Sequence, residues 1–340
     1  MMNFFNSNSL HFSSDAAHTS AVSVEPNFEE NTFGFVAGFI VPGLPQPLLA
    51  PEKSPAWGRV RAAFQTLKER LDELKPDVLV IYSTQWPSVL GHQIQADPRP
   101  QGVHVDHEFH ELGTMEYNFP VHVPYADAYI AAGKERGLHM RRVCFKGFPI
   151  DSGSLVALGL LNPENGIPCA LVSSNMYADR AETIVLGKSA RDAVQTKKLR
   201  AVAIASTALS HRLWTKPVAP KDDAISSQKD DEWNRKLLEI LAQGRLEDVA
   251  QLARQFAREA HADSKLKALW WLSAALGSSN DFRGEVLAYE GLYGTGAAVV
   301  ELRPGGVSRG EQEFDEDDVE FYRGERSVLT SSSMKTENPK

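Results

Sequence analysis

Short, almost wholly apolar runs alternate along this chain with longer stretches in which apolar residues recur every three or four positions. FGFVAGFIV (33–41), DVLVIYS (77–83), IPCALVSS (167–174) and LRAVAIAS (199–206) have the near-continuous hydrophobicity of strands buried on both faces, and HMRRVCFKG (139–147) reads as a further strand. Between them, residues 54–76 form an amphipathic pattern with Ser54 at the N-cap and Pro55 at the first helical position. SGSLVALGLL (152–161) predicts a short helix, and a further helix spans 181–196. Beyond residue 206 three helical patterns follow at 231–244, 246–260 and 263–277, the first ending at Gly244 as a C-terminal stop. Residues 284–303 read as hairpin-like segments. Strands alternating with helices predict an α/β fold: a single domain with a mostly parallel central sheet flanked by helices and a helical C-terminal third. No internal repeat is visible.

Composition narrows the class. The chain has 340 residues, 42% of them hydrophobic, enough for one large core. Residues 1–32 are rich in Ser, Asn and small residues and predict a disordered extension. Residues 304–340 are acidic and then Ser/Thr-rich, a disordered tail in which Phe314, Phe321 and Tyr322 are the features of a docking peptide. The globular domain is therefore 33–303. A net charge of −8 with no dense basic cluster argues against nucleic acid as the main ligand. Cys144 and Cys169, the two cysteines, sit in apolar strand-like runs, which predicts no structural disulfide and fits a reducing cytoplasm. No run approaches the roughly 20 apolar residues of a membrane span. No basic residue precedes Lys53, so a secretory or mitochondrial signal is not expected.

In an open α/β sheet, ligands gather at the C-terminal ends of the strands. DVLVIYSTQWPS (77–88) begins at Asp77 and ends at that edge in Ser83, Thr84, Gln85 and Trp86, so Gln85 stands where a metal or acid–base site would use histidine. The preceding loop, VPGLPQPLLAP (41–51), carries four prolines and is stiff enough to present one residue inward, yet Gly43 has no side chain to present. Taken by itself this loop reads as a rigid connector. GTGAA (294–298) lacks the lysine and the strand–helix setting of a phosphate loop. HVDHEFHELGTMEY (104–117) concentrates His104, His107, His110, Asp106, Glu108 and Glu111. If helical, the segment aligns its three histidines on one side, where two could hold a metal; the glycines around it favour a polar loop or pocket rim. His211 follows the strand 199–206 as a general acid/base or as a packed histidine, with Ser206, Thr207 and Ser210 available for hydrogen bonds under either reading.

Seven collinear segments, VPGLPQP, PDVLVIYSTQW, GVHVDHEFHELG, GFPIDSGS, DDEWNRKLLEILAQG, KALWWLSAALG and YGTGAAVVELR, resemble the class III extradiol ring-cleaving dioxygenases, and more narrowly the α chains of heteromeric members. The resemblance implies one Fe(II) held by two histidines and a glutamate, with open positions for substrate and O2. The matching positions here are Gly43 (with Gln46 nearby), Gln85 and Lys267 (with Lys265 beside it and Asp263 the nearby acid). An amide binds Fe(II) far more weakly than imidazole, and ammonium groups oppose a dication. The resemblance thus implies a chain without its own metal or catalytic residues, His211 being a vestigial acid/base. Its partner would be a homologous iron-bearing β subunit in an α2β2 complex, acting with O2 on 2-aminophenol or a related aminophenol or catechol. Gln85, Trp86, Tyr117 and His211 are the candidates for lining the substrate pocket. An alternative is a metal-independent module that binds an aromatic ligand or regulates through Trp86, Tyr117 and His211. An active metalloenzyme recruiting the histidines of 104–110 would need ligands the family does not use.

Overall fold

The computed structural model describes residues 33–277 and 282–305. In chain order these form β1 (Gly34–Val41), α1 (Gln46–Leu49), α2 (Pro55–Leu74), β2 (Val78–Ser88), β3 (His92–Gln95), β4 (Gln101–His104), β5 (Met115–Asn118), α3 (Val123–Glu135), β6 (Met140–Val143) and α4 (Ser152–Leu161). There follow β7 (Cys169–Asn175), α5 (Arg180–Lys197), β8 (Arg200–Ser206), α6 (Gln228–Ala242), α7 (Leu246–Glu259), α8 (Lys267–Leu276), β9 (Phe282–Leu292) and β10 (Thr295–Pro304). One eight-stranded sheet runs β6-β3-β7-β2-β8-β1-β10-β9, with a separate β4–β5 ribbon. Its centre, β7-β2-β8-β1, is parallel, and antiparallel pairings begin at β3–β7 and β1–β10. The α/β fold with a mostly parallel sheet is the one the apolar runs predict, and α6 to α8 supply the helical C-terminal part. The disorder expected at 1–32 and in the tail beyond 305 concerns residues outside those described.

Alternation along the central strands sorts the core. Val78, Val80 and Tyr82 face one side with α3, α5 and α8, while Leu79 and Ile81 face the other with α2 and α4. Trp271, fully buried, lies against Tyr82 with ring centroids 5.3 Å apart and donates its indole N–H to the Tyr129 hydroxyl at 2.9 Å. Asp151, Asp179 and Ser227 cap α4, α5 and α6 with their side chains; Ser54 holds the extended N-cap backbone of α2 without a side-chain bond. Gly244 does end the α6 segment, at φ +72°, where an added Cβ would lie 1.7 Å from the Phe282 carbonyl oxygen.

Several expectations shift. Cys144 lies past the end of β6 and is exposed, whereas Cys169 is buried in β7. β3, β4, β5 and α3 carry no clear pattern in the sequence. Among the described residues no helix is long and apolar enough to cross a membrane.

Candidate functional site

β2 keeps parallel register with β7 up to Ser83↔Ser173 and resumes it at Pro87↔Ser174. Thr84, Gln85 and Trp86 therefore bulge from the ladder at the C-terminal edge of the sheet. The bulge turns Thr84 and Gln85 into a cavity of about 550 Å3. Trp86 instead packs with Phe148, centroids 5.8 Å apart, and does not line that cavity. Leu44, Phe109 and Leu213 give the cavity apolar walls, and His104, Asp106, Asp151, Ser152, His211, His261 and Asp263 give it polar ones.

Gly43 precedes the cavity-lining Leu44 and packs against the start of α4. A Cβ added there would lie 2.9 Å from Gly153 Cα, 3.0 Å from Ser206 Oγ and 3.2 Å from Gln85 Nε2. Gly153 is equally tight, with Ser83 Oγ 2.6 Å and Ser206 Oγ 2.8 Å from its would-be Cβ. The loop after β1, the bulge of β2 and the first turn of α4 are thus closed on one another. Hydrogen bonds lock the contact. Ser83 Oγ donates to Asp151 Oδ1 at 2.5 Å, Gln85 N donates to Ser83 Oγ at 3.2 Å, and Ser206 Oγ donates to the Gly153 carbonyl at 2.9 Å. Asp151 Oδ1 also accepts from Ser154 N at 2.9 Å as the cap of α4. Gln46 is buried at the start of α1 and does not line the cavity.

Asp263 holds the opposite wall. Its Oδ2 accepts from Thr84 Oγ1 (2.7 Å), Thr207 Oγ1 (2.9 Å) and Ala208 N (3.0 Å). Immediately after it Ser264, Lys265 and Leu266 all adopt left-handed backbone, at φ 45°, 58° and 59°. Three consecutive non-glycine residues there store roughly 1–2 kcal/mol each, and the Asp263 side chain, its backbone bond to the Leu209 carbonyl and the burial of Leu266 hold the turn. Lys265 is exposed.

Lys267, the third position implied for a ligand, points elsewhere. Its Nζ donates to the Asn175 carbonyl at 2.6 Å and to the Met176 carbonyl at 3.0 Å, beneath the β7–α5 loop. Burial, with repulsion from the Lys265 ammonium, lowers it from 10.5 to about 8. Below about pH 8 both folded and unfolded chains hold this proton, and the full penalty of the buried ammonium remains. Between about 8 and 10.5 only the unfolded chain holds it, so stability rises with pH across that window. Urea denaturation at pH 7.5 and 9.5 should show the wild type gaining on the order of 1–2 kcal/mol relative to Lys267→Met. A difference that is flat across the window would refute the shift.

The histidine-rich segment is not a helix. His104 ends β4, a loop follows, and His110 opens a short 3-10 turn. Ser152 Oγ donates to Asp106 Oδ2 at 2.5 Å, so His104 Nε2 is the donor in its 2.8 Å bond to Ser152 Oγ. His107 is exposed on the cavity rim; His110 is exposed and does not line it. Tyr117 lines a second cavity of about 270 Å3 between α1, β5 and α4, away from Gln85 and His211. His211 does line the first, with its Nδ1 buried and unbonded, and its backbone N–H donates to the His261 carbonyl at 2.7 Å. The cavity thus brings together Gln85 and His211 but neither Trp86 nor Tyr117. Asp151, Ser152 and His261 join it without having been singled out in the sequence. An Asp before Ser-Gly-Ser and an apolar run is an N-cap signal, and that signal locates Asp151 at a helix start on the ligand edge.

The donor set does not fit Fe(II). Gly43 offers no atom and no room for one, Gln85 offers a neutral amide, and Lys267 is a donor committed to two carbonyls. Among the described residues no three His, Cys, Asp or Glu side chains converge as metal ligands.

The cavity lies at the C-terminal edge of a mostly parallel sheet, beside the ends of β1 and β2. Residues 41–300 match the family described as the catalytic LigB subunit of aromatic ring-opening dioxygenase, and the chain belongs to that family. It is 33% identical over 269 residues to the 2-aminophenol 1,6-dioxygenase alpha subunit of Pseudomonas sp, covering 78% of this chain and 98% of that one. To the beta subunit, also of Pseudomonas sp, it is 32% identical over 284 residues, covering 78% and 93%. The crystal structure of the uncharacterized protein JW3007 from Escherichia coli K12 superposes with a TM-score of 0.53 at 15% identity, over 78% of this chain and 99% of that one, which shows a common fold. Dioxygenases of this family are oxidoreductases and typically depend on iron.

Proposed function

We propose that this chain is an iron-free, non-catalytic α-type subunit of a heteromeric extradiol dioxygenase. It pairs with a homologous iron-bearing β-type subunit in a cytoplasmic α2β2 complex. The complex opens 2-aminophenol, or a related aminophenol or catechol, with O2 in aromatic degradation. The observation that carries this reading is the closed contact at Gly43, where a Cβ would already lie 2.9 Å from the α4 backbone. A histidine there would have to displace α4 or the β8 terminus. Relatives named as alpha and beta subunits of one dioxygenase support a partner chain. Nearly equal identity to both leaves the choice of role to the chemistry of the site.

The test is iron content and O2-dependent turnover of 2-aminophenol, for this chain alone and co-expressed with a β-type homologue from the same genome. Anaerobic purification with Fe(II) supplied is expected to give substoichiometric iron and no turnover for the chain alone, and both iron and turnover for the co-purified complex. One iron per chain with turnover in the isolated protein would overturn the reading.

A further inference from the structure

We propose that the edge of the sheet opposite the cavity is a docking surface for the acidic segment of the chain's own tail, residues 311–320. The parallel strands β2, β8 and β1 begin level with one another there, Val78 opposite Ala201 and Gly34 opposite Arg200. β10 runs antiparallel to β1 and ends at the same edge. Two lysines stand at helix ends on this edge, Lys75 after α2 and Lys198 after α5. The residues beside them are tied together. Asp77 N donates to the Arg200 carbonyl at 2.8 Å, Arg200 N donates to Asp77 Oδ2 at 2.8 Å, and Arg200 Nη2 donates to the Leu74 carbonyl at 3.3 Å. Lys75, Lys197, Lys198 and Arg283 are exposed and form no ion pair among the described residues. Arg283 Nη2 comes within 3.7 Å of where a Cβ on Gly305 would stand, so cations reach the point at which the tail begins.

Most carboxylates nearby are already engaged. Glu301 accepts from Arg70 and Arg303, Glu285 from Arg70, and Asp72 from Lys68. That leaves Glu73 and Asp77 against Lys75, Lys197, Lys198, Arg200 and Arg283. The C-terminal ends of α2 and α5 offset roughly half a charge each, and the edge stays positive. The tail supplies the opposite sign: EQEFDEDDVE (311–320) holds seven carboxylates and no cation. Six residues separate it from Gly305 and span at most about 20 Å. Lys198 and Arg200 belong to β8, two strands from β10 or about 10 Å, and Lys75 leads into β2, three strands or about 14 Å away. The tether therefore delivers the segment at an effective concentration that a free anion does not match. Residues 1–32 join the same edge at β1, but their acids, Asp15, Glu25, Glu29 and Glu30, are spread along the whole stretch. Phe33, half exposed beside Gly34, offers apolar surface to Phe314 inside the acidic run.

Zero-length carbodiimide coupling of the full-length protein tests this, because an amide forms only where a lysine amine and a carboxylate are already in contact. At low ionic strength, peptide mass mapping is expected to join residues 311–320 to Lys75, Lys197 or Lys198. The links should be lost at about 1 M NaCl, where the Debye length is about 3 Å. Mixing isotope-labelled with unlabelled chains should show both halves of each link coming from one chain. Trypsin should cut after Arg309 and Arg323 severalfold more slowly in the wild type than in Lys197→Glu/Lys198→Glu. Links from 311–320 to Lys53, Lys216 or Lys221 instead, links from Glu25, Glu29 or Glu30 in place of the tail, links between chains, or no links would each overturn the proposal. Equal tryptic rates in a variant with native circular dichroism would do the same. The wild-type links decide the matter alone where the variant does not fold.

Discussion

Trp271→Ala is expected to lower the stability of this protein by about 4 kcal/mol, the range for deleting a fully buried tryptophan. The indole is completely excluded from solvent and closes the layer between α8 and the centre of the sheet. It stacks on Tyr82 of β2 at an interplanar angle of 24° and donates to the Tyr129 hydroxyl of α3. Truncation removes apolar area, leaves a void that rigid neighbours cannot fill, and strips a buried hydroxyl of its donor. Tyr129 keeps only its own bond to the Leu186 carbonyl at 3.0 Å. Trp271→Phe retains an aromatic face against Tyr82 but loses the N–H, and part of the volume, so its loss should be smaller, on the order of 1–2 kcal/mol. Equilibrium urea unfolding followed by far-ultraviolet circular dichroism separates the two. A Trp271→Ala protein less than about 1.5 kcal/mol below the wild type would mean that the α8 layer relaxes to fill the void.

Gly43→His should be the most damaging single change at the cavity, by about 3 kcal/mol, and should gain no stoichiometric iron. The new side chain begins with a Cβ already 2.9 Å from Gly153 Cα, and the backbone of α4 is held by the Asp151 cap. Gln85→His, on the partly exposed bulge, has open cavity before it and should fall within about 0.5 kcal/mol of the wild type. Urea midpoints and metal analysis of the two single variants and the double variant check both statements. Stoichiometric iron in a double variant of undiminished stability would show that the position is merely vacant and not closed.

The fold was legible wherever burial on both faces writes itself as a continuous apolar run. β1, β2, β7 and β8, the four central strands, are such runs, and α2 displays its buried stripe of Val60, Phe64, Leu67 and Leu71 at helical spacing. β3 has four residues, too few for a period, and alternates His92 and Ile94 with glutamines, whereas β6, equally short, is legible within the longer run 139–147. α3 carries no clear pattern because small residues dilute its apolar face. At the site, the strand termini at Gly43, Gln85 and Ser206 could be read because parallel topology fixes where they gather. Trp86 and Tyr117 could not be placed. A three-residue bulge decides which way a side chain leaves β2, and the β4–β5 ribbon lies outside the main sheet whose order governs the edge. The sequence shows Asp263 only as the acid near Lys265 and Lys267; its anchoring role rests on Thr84, Thr207 and Ala208, which lie more than fifty positions away along the chain.

The interlock of Gly43 with Gln85, Ser206 and Gly153 also bears on redesign. An amide nitrogen at 3.2 Å, a hydroxyl at 3.0 Å and a backbone carbon at 2.9 Å surround the point where a Cβ at position 43 would start. A larger residue there meets a clash whatever stands at position 85, while a change at position 85 alone leaves the contact with Gly153 untouched. The two positions are therefore coupled through shared space, and a side chain at 43 calls for a prior change in α4 or at Ser206.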